Sequence, residues 1–204
     1  DCTFGSGGYT NKILSYPRTK VIALDRDIYT EKYVLQTKKK YKDRFKFYNK
    51  KFSEINKIIE NNIKVDFIIF DLGISSLQIL NLNRGFSFKS RSSLDMRMGL
   101  NSISGHELIN NFGAETINDI LKLLGEEKES YRISKKIIEE RKKKPIKEVP
   151  ELVEIIKKSK KKKYEKKINP STKTFQALRI FVNKEITELI KGIINATKVL
   201  KPGG

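Results

Sequence analysis

The residues best suited to chemistry gather in a few short stretches. Asp1 precedes a compact glycine turn, Gly5-Ser6-Gly7-Gly8-Tyr9, and Asp25 closes the apolar run Val21-Ile22-Ala23-Leu24. Asp71 closes a second apolar run, Phe67-Ile68-Ile69-Phe70. Glycines at a turn let the backbone approach a ligand with no Cβ in the way. A helix that starts after the turn offers N–H groups with no partner in the chain. A carboxylate at the end of the next strand can accept both hydroxyls of a ribose. The 17 positions from Gly8 to Asp25 are close to the roughly 20 that such a pairing uses. Glycine-rich turns that hold no ligand are also common, so this stretch alone leaves both readings open.

These residues need elements to place them. Strand, turn, helix, strand, with an acid closing the second strand, resembles the nucleotide-binding half of a Rossmann-like sheet. Gly5-Ser6-Gly7-Gly8 is more compact than G-x-G-x-x-G and has an acid four residues before Gly5. That D-x-x-x-G-x-G form resembles the one used by S-adenosylmethionine methyltransferases, which bind a nucleoside without a pyrophosphate. Thr10 to Tyr16 reads as a helix and Lys20 to Asp25 as a buried strand. Ile28 to Lys40 reads as a helix with Tyr29, Tyr33 and Gln36 on one face, and Phe45 to Asn49 alternates as a strand. Phe52 to Asn61 reads as helical, with Ile55, Ile58 and Ile59 as its stripe. Val65 to Leu72 is the strongest strand signal, continuously apolar as a central parallel strand is. It ends at Asp71-Leu72-Gly73, where a doubly wound sheet presents its ligands.

Residues 73–104 change to Gly, Ser and Asn, and a long loop inside a domain is usually functional or disordered. Its aromatic and methionine residues argue against disorder. From Gly105 to about Lys167 the pattern is helical. Ile117, Ile120, Leu121 and Leu124 mark one helix, Ile133 and Ile137 a second, and Val149, Leu152, Val153 and Ile156 a third with Pro150 in its first turn. Ser171 to Ala196 reads as one long helix, with Phe175, Leu178, Val182, Ile186, Leu189 and Ile193 facing a sheet. The expected organisation is a core over 1–104 that binds a cofactor, an inserted basic helical domain over 105–170 that recognises substrate, and a return to the core over 171–204.

The 204 residues suffice for one domain with an insertion or for two small ones. No apolar run reaches the length of a membrane span. The start carries neither Met nor a signal-peptide pattern. A single cysteine, Cys2, excludes an intramolecular disulfide and fits a reducing compartment. Lys+Arg number 43 against 24 Asp+Glu, a net +19. The charge clusters, with eight lysines and one glutamate between Lys157 and Lys167 and a second run from Arg141 to Lys144. Such runs suit a polyanion, nucleic acid above all. Solvated helix ends explain them as well, cations being favoured at helix C-termini.

Four stretches in order carry a specific resemblance: Asp71-Leu72-Gly73-Ile74-Ser75-Ser76, Arg84-Gly85-Phe86-Ser87-Phe88, Leu94-Asp95-Met96-Arg97-Met98 and Thr174-Phe175-Gln176-Ala177-Leu178-Arg179-Ile180. Over nearly its whole length the chain closely resembles the MraW family of ribosomal RNA small subunit methyltransferases. The resemblance implies an α/β fold, a class I S-adenosylmethionine-dependent methyltransferase (Rossmann-like) sheet with an inserted helical domain. It implies methyl transfer from S-adenosylmethionine to N4 of a cytidine in the decoding region of 16S ribosomal RNA. The implied partner is that RNA or the small ribosomal subunit, with no metal and no membrane. The implied setting is a bacterial cytoplasm or an organellar matrix. Oligomeric state stays open, homodimer included.

Carried over by motif, Gly7, Gly8 and Tyr9 would lie against the cofactor, although family members usually have His at the position of Tyr9. Asp25 would bind the ribose hydroxyls and Phe52 would sit beside the adenine. Asp71 and Gln78 would complete the pocket, and Leu77 stands where the family more often has Pro. Family members also begin earlier and continue past Pro202-Gly203-Gly204 into further strands. The expectation is therefore a fragment, short of sheet strands and unstable alone.

The cytosine amine is a poor nucleophile, and a carboxylate accepting its N–H favours the reactive form. Asp71 is the candidate for that catalytic role, with cofactor contact alone as the other reading. Phe86 and Phe88 would stack on a flipped base or belong to the core. Asp95 and Arg97 would pair with each other or meet RNA. His106 has no ligand-spaced partner and reads as structural, as does Cys2. Three rival functions remain: a methyltransferase for another substrate, a non-catalytic RNA-binding fragment, and a NAD-linked dehydrogenase.

Overall fold

A computed structural model describes residues 1–59, 63–101, 103–160 and 169–204. The chain forms two compact units. One holds Asp1–Leu77 with Glu185–Gly204, and the other holds Gln78–Lys184.

The first unit is α/β. Helix α1 (Gly8–Leu14) leads to β1 (Val21–Leu24), α2 (Glu31–Tyr41), β2 (Phe45–Tyr48) and α3 (Ile55–Ile58). β1 and β2 pair in parallel, Val21 opposite Phe45 and Leu24 opposite Tyr48. A parallel pair needs a crossover between its strands, and α2 supplies it. Alternate residues of β1 face opposite cores, as the period of a strand requires. Val21 and Ala23 join Phe4, Leu14, Val34, Tyr41 and Phe45 on one side. Ile22 packs on the other side against Cys2, Ile55, Ile59 and Val199. On α2 the buried positions are Val34, Thr37 and Tyr41. Of the face expected from Tyr29, Tyr33 and Gln36, Tyr29 falls in a separate 3-10 turn, Tyr33 packs partly buried against this core and Gln36 is exposed. Phe52–Glu54 is likewise a 3-10 turn ahead of α3. The end of the expected 52–61 helix lies outside the described residues.

The chain continues the sheet through sparser bonds. The Asp1 nitrogen donates to the Ile22 carbonyl at 3.0 Å, and Leu24 N–H to the Asp1 carbonyl at 2.8 Å. On its other side, Cys2 N–H donates to the Ile69 carbonyl at 2.9 Å. Val65 forms an isolated parallel bridge with Leu200. Among the described residues the segment 65–72, expected as the strongest strand, has backbone-to-backbone bonds to its neighbours at Val65 and Ile69 and forms no continuous ladder. Phe67 is 62% exposed, so the side that the sequence prepares for burial is open.

The second unit is helical. α4 (Ser76–Leu80) spans the boundary, and then come α5 (Gly105–Asn111), α6 (Ala114–Gly125), α7 (Ser130–Lys143), α8 (Val149–Ser159) and α9 (Thr172–Val182). The expected stripes are the core: Ile117, Leu121, Ile133, Ile137, Leu152 and Ile156 are fully buried. A capping box of Ser104 and Glu107 starts α5. Burying one such apolar side chain contributes about 1.5–3 kcal/mol, against about 0.2–1 kcal/mol for an exposed ion pair. The core therefore outweighs the many surface lysine–glutamate pairs in holding this unit.

The units divide at Leu77/Gln78 and Lys184/Glu185, where the sequence reading placed boundaries at 104/105 and 170/171. Residues 78–104 belong with the helices because their backbone bonds to them. Val149 N–H donates to Ser92 at 3.0 Å, Leu94 N–H to Lys147 at 3.2 Å and Gly105 N–H to Asp95 at 2.9 Å, and Leu94 and Met96 are fully buried. The long helix expected over 171–196 is two helices, α9 and α10 (Glu185–Val199). Lys184 interrupts it with φ of 50°.

Candidate functional site

Within the first unit the sequence-predicted residues stand where the parallel segments end. The glycine turn follows residues 1–4, Asp25 follows β1, Phe52 follows β2, and Asp71 follows the extended segment at 65–70. The turn is tied to the strand end through one side chain. Gly5 N–H donates to Asp25 Oδ2 at 2.7 Å, and Asp27 N–H donates to Asp25 Oδ1 at 2.9 Å. A carboxylate has about four acceptor positions, so each oxygen keeps capacity for one more donor. Burial pushes the Asp25 carboxyl above its ordinary range, against the two backbone N–H bonds that favour the charged form.

Gly5 and Gly7 adopt φ of 52° and 84°, a region that costs other residues energy. At Gly7 a Cβ would also stand 2.9 Å from the Phe4 ring. Over Gly8 a Cβ would meet nothing within 4 Å, so the turn has open space beside its backbone. Tyr9 is half exposed. The turn is braced from below by Asp1, whose carboxylate accepts from Thr10 Oγ1 at 2.7 Å and from Thr3 N–H at 3.1 Å. The acid four residues before Gly5 is thus a brace.

Asp71 is exposed, and its N–H donates to Thr3 Oγ1 at 2.8 Å. Thr3 therefore links the end of 65–72 to the segment that enters the glycine turn. Phe52 is half-buried, edge-on to Phe70 at 5.3 Å between centroids. It occupies the room left by Gly192 of α10, where a Cβ would come within 2.6 Å of its ring. Gln78 lies in the second unit, buried on α4. Gly7, Gly8, Tyr9, Asp25, Phe52 and Asp71 thus share one unit, and Gln78 belongs to the other.

The remaining candidates are accounted for within the second unit. Phe86 is buried beneath the Arg84 guanidinium, 5.1 Å from its ring centroid. Phe88 sits edge-on to Phe175 at 6.3 Å. Asp95 and Arg97 pair through Arg97 Nε at 2.5 Å. His106 donates its backbone N–H to Leu94 at 2.6 Å. In the first unit Cys2 is buried, which pushes its thiol up to about 11, so it remains a neutral packing residue at pH 7. Of the Arg141–Lys144 run, Arg141 donates to the carbonyls of Ile109 and Phe112 at 2.8 and 2.6 Å and closes the end of α5. Lys143 and Lys144 pair with Glu140 and Glu151. The run at 161–167 lies outside the described residues. Among the described residues no group of three metal-binding side chains occurs, and no helix is long and apolar enough to cross a membrane.

Sequence reasoning missed Thr3, Asp27 and Glu188. Asp27 caps the turn at Ile28–Thr30 by accepting from Tyr29 N–H. Glu188 lies on the buried face of α10 with Gly192, Ala196 and Val199. Isoleucine periodicity pointed instead to Ile186 and Ile193, which are about half exposed. The small residues of that helix were the better signal, since Gly192 is where Phe52 enters.

A family model described as the MraW methylase family matches residues 1–204. The chain is 42% identical over 207 residues to "Ribosomal RNA small subunit methyltransferase H" of Ehrlichia canis (strain Jake). It is 40% identical over 208 residues to the protein of that name from Ehrlichia chaffeensis (strain ATCC CRL-10679 / Arkansas). It is 42% identical over 207 residues to that of Wolbachia sp. subsp. Drosophila simulans (strain wRi). In each comparison 100% of this chain matches 70% of the relative.

Proposed function

The chain belongs to the MraW methylase family, and from that premise we propose that it transfers a methyl group from S-adenosylmethionine to small-subunit ribosomal RNA, at N4 of a cytidine. The observation that carries the cofactor assignment is the bond from Gly5 N–H to Asp25, which sets a ribose-binding carboxylate beside an open glycine turn. The order of hydrogen-bonded segments supports a class I Rossmann-like sheet: Leu200, 65–72, 1–4, β1, β2, with parallel pairing at Val65 and between β1 and β2. The helical unit at 78–184 is the inserted domain.

The residues present fit this methyl donor. Asp25 keeps one acceptor position on each oxygen for the two ribose hydroxyls. Gly7 and Gly8 give backbone access, and Tyr9 flanks them. Phe52 offers a half-buried aromatic surface to the adenine. Bound there, the donor supplies an electrophilic methyl on a sulfonium. The protein's contribution is orientation of the amine toward that methyl. Asp71, exposed at the segment end, is the second carboxylate of the first unit assigned to the donor, and Gln78 is assigned to it by motif alone. In the second role weighed for Asp71, its carboxylate accepts the cytosine N–H. Asp71→Asn separates the two: a raised donor KM marks the donor contact, and a lowered kcat with unchanged donor KM marks the amine acceptor.

The test is to incubate the protein with labelled S-adenosylmethionine and small ribosomal subunits lacking the modification, and to identify the methylated nucleoside by mass. N4-methylcytidine is expected. Donor binding without transfer would discard the substrate and keep the cofactor. RNA retention without donor binding would favour a non-catalytic RNA-binding module, and binding of NADH in its place would favour a dehydrogenase.

A further inference from the structure

We infer that Glu188 is a positioning residue for the methyl-donor site, a buried carboxylate on α10 that sets the turn carrying Phe52. The inference rests on the donor site proposed above and adds a residue from outside its motifs.

Glu188 is 7% exposed. Its Oε1 lies 3.6 Å from Lys51 Nζ, and the Lys51 side chain is itself only 22% exposed. Lys51 immediately precedes Phe52. The same face of α10 continues onto the Phe52 turn. Gly192, one turn on, lies against the Phe52 ring, and Asn195 Nδ2 donates to the Ser53 carbonyl at 2.7 Å.

Stability alone does not call for a carboxylate at this position. Its Oε2 is buried with no hydrogen-bond partner, and a buried charge is costly unless well paired. An apolar side chain would extend the face of Gly192, Ala196 and Val199 at lower cost. The charge does something that an apolar group does not. By holding Lys51, it fixes the entry of the turn that presents Phe52.

The experiment measures binding of S-adenosylmethionine by calorimetry, donor KM and kcat on small ribosomal subunits, and the melting temperature. It compares the wild type, Glu188→Gln, Glu188→Asp, Lys51→Gln and the double variant Lys51→Gln/Glu188→Gln. Glu188→Gln is expected to raise donor Kd and KM about 10- to 100-fold, the scale of one hydrogen bond to a charged group, with kcat at saturating donor kept within about twofold. Glu188→Asp should recover part of the affinity. Lys51→Gln leaves α10 intact, so it serves if Glu188→Gln fails to fold. It should weaken donor binding too, and the double variant should fall short of the sum of the singles. Unchanged donor affinity in Lys51→Gln or Glu188→Gln overturns the inference, as does a kcat loss with unchanged donor KM. A wild type that binds no S-adenosylmethionine overturns the donor site itself, which separates the two failures.

Discussion

Asp25 has one duty seen in the fold and one proposed for the donor, and the two pull its chemistry in opposite directions. Its oxygens hold the backbone of Gly5 and Asp27, and burial raises its carboxyl above the ordinary 3.8. A raised acid contributes stability that is fully present below its unfolded value and is lost as pH rises through its folded value. Donor binding has the opposite sign, because only the charged form accepts two hydroxyls. Affinity for S-adenosylmethionine should therefore begin to fall, on acidification, at a higher pH than an ordinary aspartate would give. Calorimetry from pH 8 downward checks this, and a midpoint at or below 3.8 would refute the burial argument. Asp25→Ala should weaken binding at neutral pH by about 1.5–3 kcal/mol, the scale for hydrogen bonds to a charged group. An affinity equal to that of the wild type would remove Asp25 from the ribose. The place of Asp25 at the end of β1, bonded to the glycine turn, was legible in the sequence because its type, its strand and its spacing from the glycines all point there. Thr3 was not legible: a lone threonine beside a turn has no pattern, and only the fold brings its hydroxyl to the N–H of Asp71.

The break between α9 and α10 shows where periodicity stops being informative. Apolar residues step by three or four from Phe175 to Ile193 without interruption, and no Pro or Gly stands near the break at Asn183-Lys184. What ends α9 is a buried side chain. Asn183 Oδ1 accepts from Met98 N–H at 2.8 Å and from Asn101 at 2.6 Å. Its amide donates to the carbonyls of Met96 and Arg179 at 2.8 and 2.9 Å. Four bonds to one amide fix the end of α9 against the Met96–Met98 stretch, and Lys184 then takes the left-handed φ of 50°. The local pattern for one helix loses to a tertiary contact that no short window contains. Asn183→Ala leaves several buried groups unpaired at about 1–3 kcal/mol each, so a loss of at least about 3 kcal/mol is expected. Lys184→Gly should stabilise by up to about 1 kcal/mol, because glycine meets no Cβ penalty there. Urea unfolding of the two variants tests both, and a stable Asn183→Ala would show that the break has another cause. The helices of the second unit were legible because their stripes face a core within that unit. The segment 65–72 was legible as apolar but not as a bonded strand, since pairing depends on what lies beside it.

At the scale of the molecule, charge decides how RNA is met. Residues 78–184 carry 25 Lys+Arg against 13 Asp+Glu, a net +12, and the rest carry 18 against 11, a net +7. The excess favours the helical unit without being confined to it. Several of its lysines pair with a glutamate one turn away on the surface, as Lys143 and Lys157 do. Exposed pairs of this kind are worth about 0.2–1 kcal/mol, so a phosphate competes with them readily. Arg141 is different, because its guanidinium closes α5. The run therefore contains one structural cation followed by three exposed ones. Binding of small-subunit RNA should weaken steeply with salt, since each neutralised phosphate contributes a slope of about −0.7 to −0.9 in log K against log salt. Lys142→Gln and Lys158→Gln, both exposed, should each reduce that slope by about one contact and leave S-adenosylmethionine affinity and the melting temperature unchanged. Arg141→Gln should instead lower the melting temperature, because it uncovers two helix-end carbonyls. Filter binding across a salt series distinguishes these outcomes. If Lys142→Gln and Lys158→Gln leave both slope and affinity as in the wild type, the exposed lysines of α7 and α8 are a solvated surface, and the RNA is held through the +7 unit that also carries the proposed donor site.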